Sequence, residues 1–326
     1  MANEINIFNT VIENLSPDIK DVLSKLSGEY KENTEEIRLR NGQPLSIYCG
    51  GRDYFISKYG NVENKSRSAV IVDENQISRT FQLITNYSVY AFAEEIRNGF
   101  ITIKGGHRVG IGGKIIYGLR GIEGITNISS LNIRIGREKI GISNHIIPYL
   151  LDNNNDFCNT LIISSPQCGK TTLLRDIIRN LSNGFYTGNR SFKVSIVDER
   201  SEIAGVYNGM AQKDVGIRTD ILDGCLKSHG IMILIRAMSP EIIAVDEIGG
   251  EEDIKAVGEA LRAGIRLIST IHGGSLEEVK HKYSFRELFR ERVFKRYIIL
   301  DRSQGVGTIR EVTDENYNVL YRGRKD

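Results

Sequence analysis

The amino-acid sequence predicts an α/β protein in which a mainly parallel sheet flanked by helices follows a smaller mixed α+β domain. From Thr160 onward, apolar strand-like runs alternate with patterns of helical period, which favours a parallel sheet covered on both faces. Before that point, short alternating runs and glycine-rich turns are typical of antiparallel strands with a few helices. We therefore expect an N-terminal α+β domain, a linker helix and loop, and a core with a C-terminal antiparallel addition, over residues 1–138, 139–156 and 157–326.

The first part is predicted to contain two short helices, a hairpin, two further helices and a glycine-rich group of strands. Apolar positions between Ile7 and Leu26 recur at helical spacing, and Glu36–Tyr48 alternates around the turn Asn41–Pro44. Further elements are expected at Ala69–Val72 (strand), Ile77–Ile84 and Ser88–Asn98 (helices), 99–118 and 126–137 (strands) and Ile140–Leu151 (the linker helix).

The core is predicted to contain four strands that each end in polar residues. Helical patterns follow the first, third and fourth of them. The four are expected at Leu161–Ser164, Lys193–Asp198, Ile242–Asp246 and Arg266–Thr270, and the antiparallel addition at Tyr297–Leu300, Gly307–Val312 and Val319–Arg322.

Composition argues against several classes of protein. The formal net charge of +2 gives no support to a nucleic-acid partner. The four cysteines are far apart and have no metal-ligand spacing, which argues against zinc and a disulfide framework and favours the reducing cytoplasm. There is no N-terminal signal pattern and no long apolar run, so any membrane role is expected to come through a partner.

The segment after the first core strand has the pattern of a phosphate-binding loop. Leu161–Ile163 leads into Ser165-Pro166-Gln167-Cys168-Gly169-Lys170-Thr171-Thr172, and a helical pattern follows. Backbone N–H groups at the start of such a helix point at phosphates, and the helix dipole favours negative charge there. Lys170 is expected to reach the β- and γ-phosphates, and the Thr171 hydroxyl to bind Mg²⁺. These residues predict a P-loop NTPase core of the RecA/AAA-like type.

The loop departs from the usual G-x-x-x-x-G-K-[ST] pattern. Its first glycine position is Ser164, and Gln167 stands where a small residue is easier to accommodate. A residue other than glycine has to avoid positive φ there or bear strain of about 1–3 kcal/mol. Taken alone, the Gly-Lys-Thr triplet also fits a strand-to-helix turn with a solvated lysine.

A second strand supplies the carboxylates that nucleotide hydrolysis requires. The apolar run Ile242–Val245 ends in Asp246 and Glu247. In nucleotide hydrolases such a strand lies beside the P-loop strand, its Asp holds Mg²⁺ through water, and its Glu polarises the attacking water. We therefore predict Asp246 as a metal-binding residue and Glu247 as a catalytic residue.

Polar residues also follow two other core strands, at the sheet edge where ligands of α/β proteins bind. Asp198, Glu199 and Glu202 are candidates to tune Mg²⁺ or to position water. Thr270 and His272 are candidates to sense the γ-phosphate. Of these, Glu199 and His272 are predicted to be catalytic, with a hydrogen-bonded loop residue as the alternative for each.

Hydrolysis also requires positive charge on the transferring phosphoryl group, which an arginine finger often supplies. The sequence does not select one arginine. The main candidates are Arg38, Arg40, Arg134 and Arg218, and further candidates are Arg108, Arg236 and Arg262.

Together and in this order, the motifs resemble the stage III sporulation AA family and, more broadly, the type II/IV secretion ATPases. The similarity runs across nearly the whole chain. It is carried by Ile101–Gly110, Cys168–Asp176, Val197–Gly205 and Ser239–Gly249. In secretion-ATPase terms, Asp198–Glu202 looks like the acidic box and Ser269–Gly273 like the His box. Glu36–Gly51 is similar to the first strands of the domain that precedes the motor core.

The resemblance implies a hexameric ATPase ring that uses Mg²⁺ and ATP. The ring would be cytoplasmic, on the mother-cell side, and would dock on membrane proteins of a sporulation channel between mother cell and forespore. In such rings the nucleotide site lies between subunits, and the small N-terminal domain donates arginines. That implication favours Arg38, Arg40 and Arg134 without selecting one.

The leading hypothesis is therefore a Mg²⁺-dependent ATP hydrolase that energises or assembles a sporulation channel complex. The alternative is a nucleotide-binding or catalytically weak scaffold of that complex, motivated by Ser164 and Gln167. A DNA or RNA translocase is a third hypothesis, which the near-neutral charge and the absence of tryptophan oppose.

Overall fold

The computed structural model describes residues 2–119, 121–188 and 190–323, and the chain forms two compact units. The first unit comprises Met1–Arg137 with Tyr207–Gln212, and the second comprises Glu138–Val206 with Lys213–Asp326. Met1, at the start of the predicted N-terminal domain, and residues 324–326, at the end of the predicted core, lie outside the described residues. Within the described ranges, no helix is long and apolar enough to cross a membrane.

The first unit combines five α-helices with nine strands in its described part. Its helices are α1 (Ala2–Ile12), α2 (Pro17–Ser24), α3 (Gly28–Asn33), α4 (Glu74–Ile84) and α5 (Ala93–Arg97). Its strands are β1 (Thr34–Arg40), β2 (Gln43–Pro44), β3 (Ser46–Cys49), β4 (Arg52–Ile56), β5 (Val62–Glu63), β6 (Ile71–Val72), β7 (Phe100–Ile103), β8 (His107–Gly118) and β9 (Gly121–Arg134).

Seven of these nine strands build an antiparallel sheet in the order β5-β4-β3-β1-β9-β8-β7, and β2 and β6 form a separate antiparallel pair. The predicted hairpin is present, because β1 pairs with β3 through Ile37 opposite Ile47. Alternate residues of these strands, such as Ile37 and Leu39, are fully buried, as a half-buried strand requires. Helix α4 starts at a capping box in which Asp73 and Gln76 satisfy each other's backbone N–H groups.

The second unit contains eight strands and five α-helices in its described part. The strands are β10 (Thr160–Ser164), β11 (Val194–Asp198), β12 (Thr219–Asp223), β13 (Ile242–Val245), β14 (Arg266–His272), β15 (Arg296–Asp301), β16 (Thr308–Asp314) and β17 (Val319–Arg322). The helices are α6 (Lys170–Asn183), α7 (Lys227–Ala237), α8 (Glu251–Arg262), α9 (Leu276–Lys280) and α10 (Arg286–Arg290).

These strands form one sheet in the order β12-β11-β13-β14-β10-β15-β16-β17. Strands β10 to β15 are all parallel, and β16 pairs antiparallel with both β15 and β17. The central strands are buried along their whole length, as their continuous apolar runs predict. Two separate hydrophobic clusters contain α6 and α8, respectively, with their neighbouring strands. The observed mixture of sheets and helices agrees with the predicted α/β class.

Residues 139–156 do not form the predicted linker helix. Turns and the short 3-10 helix Ile147–Leu150 take its place. Gly141 has φ 88°, and its N–H and that of Ser143 donate to the buried Asp176 carboxylate at 2.9 and 2.8 Å. Because these N–H groups bond to a side chain of α6, they are not available for a helix. The segment therefore packs within the second unit.

Two further features of the second unit differ from the sequence prediction. Strand β15 was expected in an antiparallel addition, but it pairs in parallel with β10, so only β16 and β17 are antiparallel. Strand β12 was not predicted at all. Its sequence, Thr219–Asp223, has charged residues at two of five positions, and it lies at the sheet edge beside β11, where burial is incomplete.

Candidate active site

The phosphate loop has the predicted strand–loop–helix geometry. Strand β10 ends at Ser164, and α6 begins at Lys170. Gly169 precedes the helix with φ 91° and ψ 23°, a left-handed conformation that glycine adopts without strain. A Cβ at this position would lie 3.0 Å from both the Val306 Cγ1 and the Gly307 nitrogen. Glycine is therefore required here for both backbone conformation and space.

The two unusual residues of the loop behave differently. Ser164 is buried at the end of β10 and has no positive φ, and its carbonyl accepts the Gly273 N–H at 3.1 Å. It therefore carries none of the strain expected for a substituted glycine. Gln167 has φ 59°, so the strain anticipated for a side chain in this loop is present at that position.

Lys170 lies against the loop that it follows. Its ammonium is 3.3 Å from the Ser164 carbonyl oxygen and 3.4 Å from that of Ser165. This places the charge at the C-terminal end of β10, where the backbone N–H groups that begin α6 also lie. Cation, free N–H groups and helix dipole together favour an anion at this edge of the sheet.

The two predicted Mg²⁺ residues are in direct contact. The Thr171 hydroxyl donates to Asp246 Oδ2 at 2.6 Å, and the Thr270 hydroxyl donates to Asp246 Oδ1. Thr270 in turn accepts the Glu247 N–H at 2.9 Å. Glu247 has φ 48°, a left-handed conformation that is uncommon away from glycine and that recurs at functional sites. The structure thus brings together four of the predicted residues from three separate segments.

The oxygen atoms at this point suit Mg²⁺, which binds one or two protein oxygens together with water and substrate phosphates. Thr171 and Asp246 offer one hydroxyl and one carboxylate. Among the residues that the structure describes, no group of three or more His, Cys, Asp or Glu side chains could hold a metal ion by itself. The donor set therefore fits a metal that arrives with its nucleotide.

His272 lies beside the phosphate loop because β14 pairs in parallel with β10, with Ser164 opposite His272. Its Nδ1 is 3.3 Å from the Ser164 carbonyl oxygen. A carbonyl only accepts hydrogen bonds, so Nδ1 carries the proton and Nε2 is the ring nitrogen that remains for a ligand.

The acidic residues after β11 have structural partners. Asp198 is only 2% exposed, and its carboxylate accepts the N–H groups of Glu202, Ile203 and Ala204. Burial raises the pKa of this carboxyl to about 6, although the three N–H donors act in the opposite direction. Asp198 therefore shapes the loop that follows β11, and its oxygen atoms are occupied by backbone donors.

Two basic residues that the sequence analysis did not select complete this loop. Arg175 of α6 is buried and donates to the carbonyls of Ile203 and Glu202, the latter at 2.6 Å, and burial lowers its pKa. Lys227, at the start of α7, forms an ion pair with Glu199. Arg175 lies within the Cys168–Asp176 motif but was given no role, and Lys227 lies 28 positions after Glu199. Only a charge-pairing argument between helix and loop could have suggested them.

The predicted arginines differ in their surroundings. Arg38 donates twice to Glu36, at 2.8 and 2.6 Å, and Arg134 lies 3.8 Å from the same carboxylate. Arg40 is exposed and, within the described ranges, has no hydrogen-bonding or ion-pair partner. Arg218 donates to the Ser182 carbonyl at 3.1 Å. Of the further candidates, Arg262 pairs with Glu259, and the Arg108 guanidinium stacks 3.7 Å from the Phe100 ring.

The carboxylate strand was expected beside the phosphate-loop strand, but β14 lies between β13 and β10. A parallel sheet with a phosphate loop after β10 and carboxylates after β13 defines a P-loop-type α/β protein. The chain belongs to the family described as "Sporulation stage III, protein AA", whose model matches residues 7–320. It is 42% identical to stage III sporulation protein AA of Bacillus subtilis (strain 168) over 317 residues, which are 96% of this chain and 97% of that protein. The resemblance inferred from the motifs is thereby confirmed.

Two solved structures share this fold. The Legionella pneumophila ATPase DotB superimposes with a TM-score of 0.53 at 16% identity, over 82% of this chain and 72% of DotB. The pilus retraction motor PilT with bound ADP superimposes with a TM-score of 0.54 at 14% identity, over 94% of this chain and 82% of PilT. At these identities the similarity establishes the fold.

Proposed function

We propose that this protein is a Mg²⁺-dependent ATP hydrolase of the secretion-ATPase type that serves a sporulation channel complex. The proposal rests on the contact between Thr171, at the start of the phosphate-loop helix, and Asp246, which directly follows β13. These two oxygens are the ones that a nucleotide-bound Mg²⁺ uses in P-loop proteins. Membership of the sporulation family and the fold shared with secretion ATPases support the cellular role.

Each residue then has a defined task. Lys170 and the N–H groups of residues 169–172 bind the β- and γ-phosphates. Thr171 and Asp246 hold Mg²⁺, which neutralises charge on the phosphates when it is bound. Glu247 accepts a proton from the attacking water, and its main-chain hydrogen bond to Thr270 fixes its position. His272 donates Nε2–H to a γ-phosphate oxygen, which requires the doubly protonated ring because Nδ1–H is bonded to the Ser164 carbonyl.

The proposed active form is a ring in which one subunit donates an arginine to the nucleotide site of its neighbour. The candidates for that arginine lie in the first unit. Arg38 and Arg134 share one carboxylate, whereas Arg40 has no such partner among the described residues. A free guanidinium is available to a phosphate without first breaking an ion pair, so Arg40 is the preferred finger, donated to a neighbouring subunit. Arg40→Ala is expected to lower kcat by about 10³-fold or more. Arg218→Ala tests a rival candidate, whose guanidinium already donates to the Ser182 carbonyl, and it is expected to lower kcat less.

The proposed location is the cytoplasmic face of the mother-cell side of the channel, where membrane proteins of the complex hold the ring. ATP turnover would energise or assemble that channel. Co-purification of the wild-type protein with membranes from sporulating cells, and its loss when the channel's membrane proteins are deleted, would support this arrangement.

The test is Mg²⁺-ATP hydrolysis against protein concentration for the wild type, Lys170→Ala and Glu247→Gln. A ring with shared sites predicts specific activity that rises steeply with concentration. Lys170→Ala is expected to lose nucleotide binding. Glu247→Gln is expected to bind ATP but to hydrolyse it about 10²- to 10⁴-fold more slowly. Wild-type turnover by Glu247→Gln would show that Glu247 is not the base.

A second candidate function is a nucleotide-binding scaffold with weak or no hydrolysis. It is favoured by the left-handed Gln167, a residue that bears backbone strain at a loop position where glycine is usual. In a sporulating strain, Lys170→Ala and Glu247→Gln separate the two functions. Normal spore formation by Glu247→Gln together with failure by Lys170→Ala would support the nucleotide-binding scaffold, and failure by both variants would support the hydrolase.

A further inference from the structure

The loop between β15 and β16, residues 302–307, forms a second wall of the phosphate loop. The Gly307 N–H donates to the Cys168 carbonyl at 2.9 Å. Val306 packs so closely that a Cβ on Gly169 would lie 3.0 Å from its Cγ1. The Lys139 ammonium binds the Val306 carbonyl at 2.9 Å, and the Thr308 hydroxyl binds that of Gly305 at 2.7 Å. The loop is therefore held in place against the start of α6.

The order of strands separates two sides of the site. Strands β14 and β13 lie on one side of β10 and supply His272, Thr270, Asp246 and Glu247. Strand β15 lies on the other side and is parallel to β10, so the loop after it opens at the same edge of the sheet. A nucleotide whose γ-phosphate faces the carboxylates has its remaining part directed away from them. That direction leads to the β15 side.

One side chain on this second wall, Val306, is apolar and accessible, and it follows the exposed polar residues Arg302, Ser303 and Gln304. Val306 is 39% exposed although it touches the phosphate loop. Ile140, directly after Lys139, is 65% exposed. Such exposed, branched aliphatic side chains have no hydrogen-bond donor or charge with which to bind the phosphates. They offer the contact that the flat, weakly hydrated face of a purine prefers.

We infer that Val306, together with Ile140, forms the contact surface for the purine base of the nucleotide. The inference rests on the proposed nucleotide binding and adds where the base lies. The phosphate loop would hold the phosphates, and the β15–β16 loop would hold the base against apolar side chains. Such a contact recognises the face of the ring and adds affinity mainly through burial of apolar area.

The experiment compares a ligand that has a base with one that lacks it. Binding of ADP and of tripolyphosphate, each with Mg²⁺, is measured by calorimetry for the wild type, Val306→Ala, Val306→Phe and Ile140→Ala. Val306→Ala and Ile140→Ala are expected to weaken ADP about 3- to 10-fold, since each removes apolar contact area. Val306→Phe is expected to retain or increase ADP affinity. Tripolyphosphate affinity is expected to stay unchanged in all of them.

Val319→Ala is the matched control, because Val319 is a similarly exposed valine on β17, two strands beyond β15. Equal weakening of ADP and tripolyphosphate by Val306→Ala would mean that the loop only supports the phosphate loop, and would overturn the inference. Unchanged ADP affinity in both Val306→Ala and Ile140→Ala would overturn the inferred base contact but leave the proposed nucleotide binding intact. A wild type that binds neither ligand would instead refute the proposed function, and the inference with it.

Discussion

Thr171 and Asp246 are joined by a hydrogen bond of 2.6 Å although 75 positions separate them in the sequence. Thr171 is the second residue of α6, and Asp246 directly follows β13. Strand β14 lies between their two strands in the sheet, and its Thr270 bonds to the second oxygen of the same carboxylate. One carboxylate therefore connects the ends of three neighbouring strands at the point where phosphates would bind.

Removing the Thr171 hydroxyl tests this arrangement. Thr171→Val keeps the shape of the side chain but has no oxygen for Mg²⁺. It is expected to raise the Mg²⁺ concentration needed for half-maximal ATP hydrolysis by about 10- to 100-fold. Thr171→Ser retains the oxygen and is the control, with a Mg²⁺ dependence near that of the wild type. A wild-type Mg²⁺ titration for Thr171→Val would contradict the assignment.

Replacing the two unusual loop residues, Gln167 and Ser164, by glycine is expected to change the free energy of unfolding in opposite directions. Gln167→Gly relieves a left-handed conformation that costs about 1–2 kcal/mol, offset by about 0.4–1 kcal/mol of added unfolded-state entropy. It is expected to raise the free energy of unfolding slightly. Ser164→Gly weakens a buried strand end without relieving strain, and is expected to lower it by about 0.5–1 kcal/mol. Urea unfolding measures both, and stabilisation by Ser164→Gly would contradict the interpretation.

Glu199 was predicted to be catalytic, yet its carboxylate forms an ion pair with Lys227. The pair favours a role in holding the loop after β11. Glu199→Gln is expected to reduce kcat less than tenfold, far less than Glu247→Gln. In a double-mutant cycle with Lys227→Met, the two residues are expected to couple by about 0.5–3 kcal/mol in stability. A catalytic Glu199 would instead give a large loss of kcat that Lys227→Met does not reproduce.

The raised pKa of Asp198 predicts a pH dependence of stability. Its carboxyl has a pKa of about 6 in the folded protein, against an ordinary value of 3.8 for an aspartate. Between these values the folded state binds more protons than the unfolded state, so this residue's contribution to stability falls as pH rises from about 4 to 6. Above pH 6 the contribution is constant.

Asp198→Asn removes this titration. The variant is expected to be less stable overall, by about 1–3 kcal/mol, because its amide nitrogen faces backbone N–H donors. The difference in unfolding free energy between wild type and variant is expected to shrink from pH 4.5 to pH 6.5. Denaturant unfolding across this range measures it, and a difference that grows with pH would show that the three N–H donors outweigh burial.

The sequence by itself determined the α/β class, the sporulation family and most of the strands in the second unit. These features rest on local signals: the period of apolar residues and the order of motifs along the chain. The continuous apolar runs within β10 and β13 are examples, because a strand that is buried on both faces has no polar alternation to obscure it.

Only the tertiary structure decided which polar groups pair. The Asp176 carboxylate accepts backbone N–H groups of the predicted linker helix, and that segment forms turns instead. Because β15 pairs in parallel with β10, the 302–307 loop lies beside the phosphate loop. In the same way, backbone donors occupy Asp198 and Lys227 pairs with Glu199. Each of these partners is distant in sequence, and a buried polar group bonds to whichever partner the fold brings near, because leaving it unpaired costs more than any local preference.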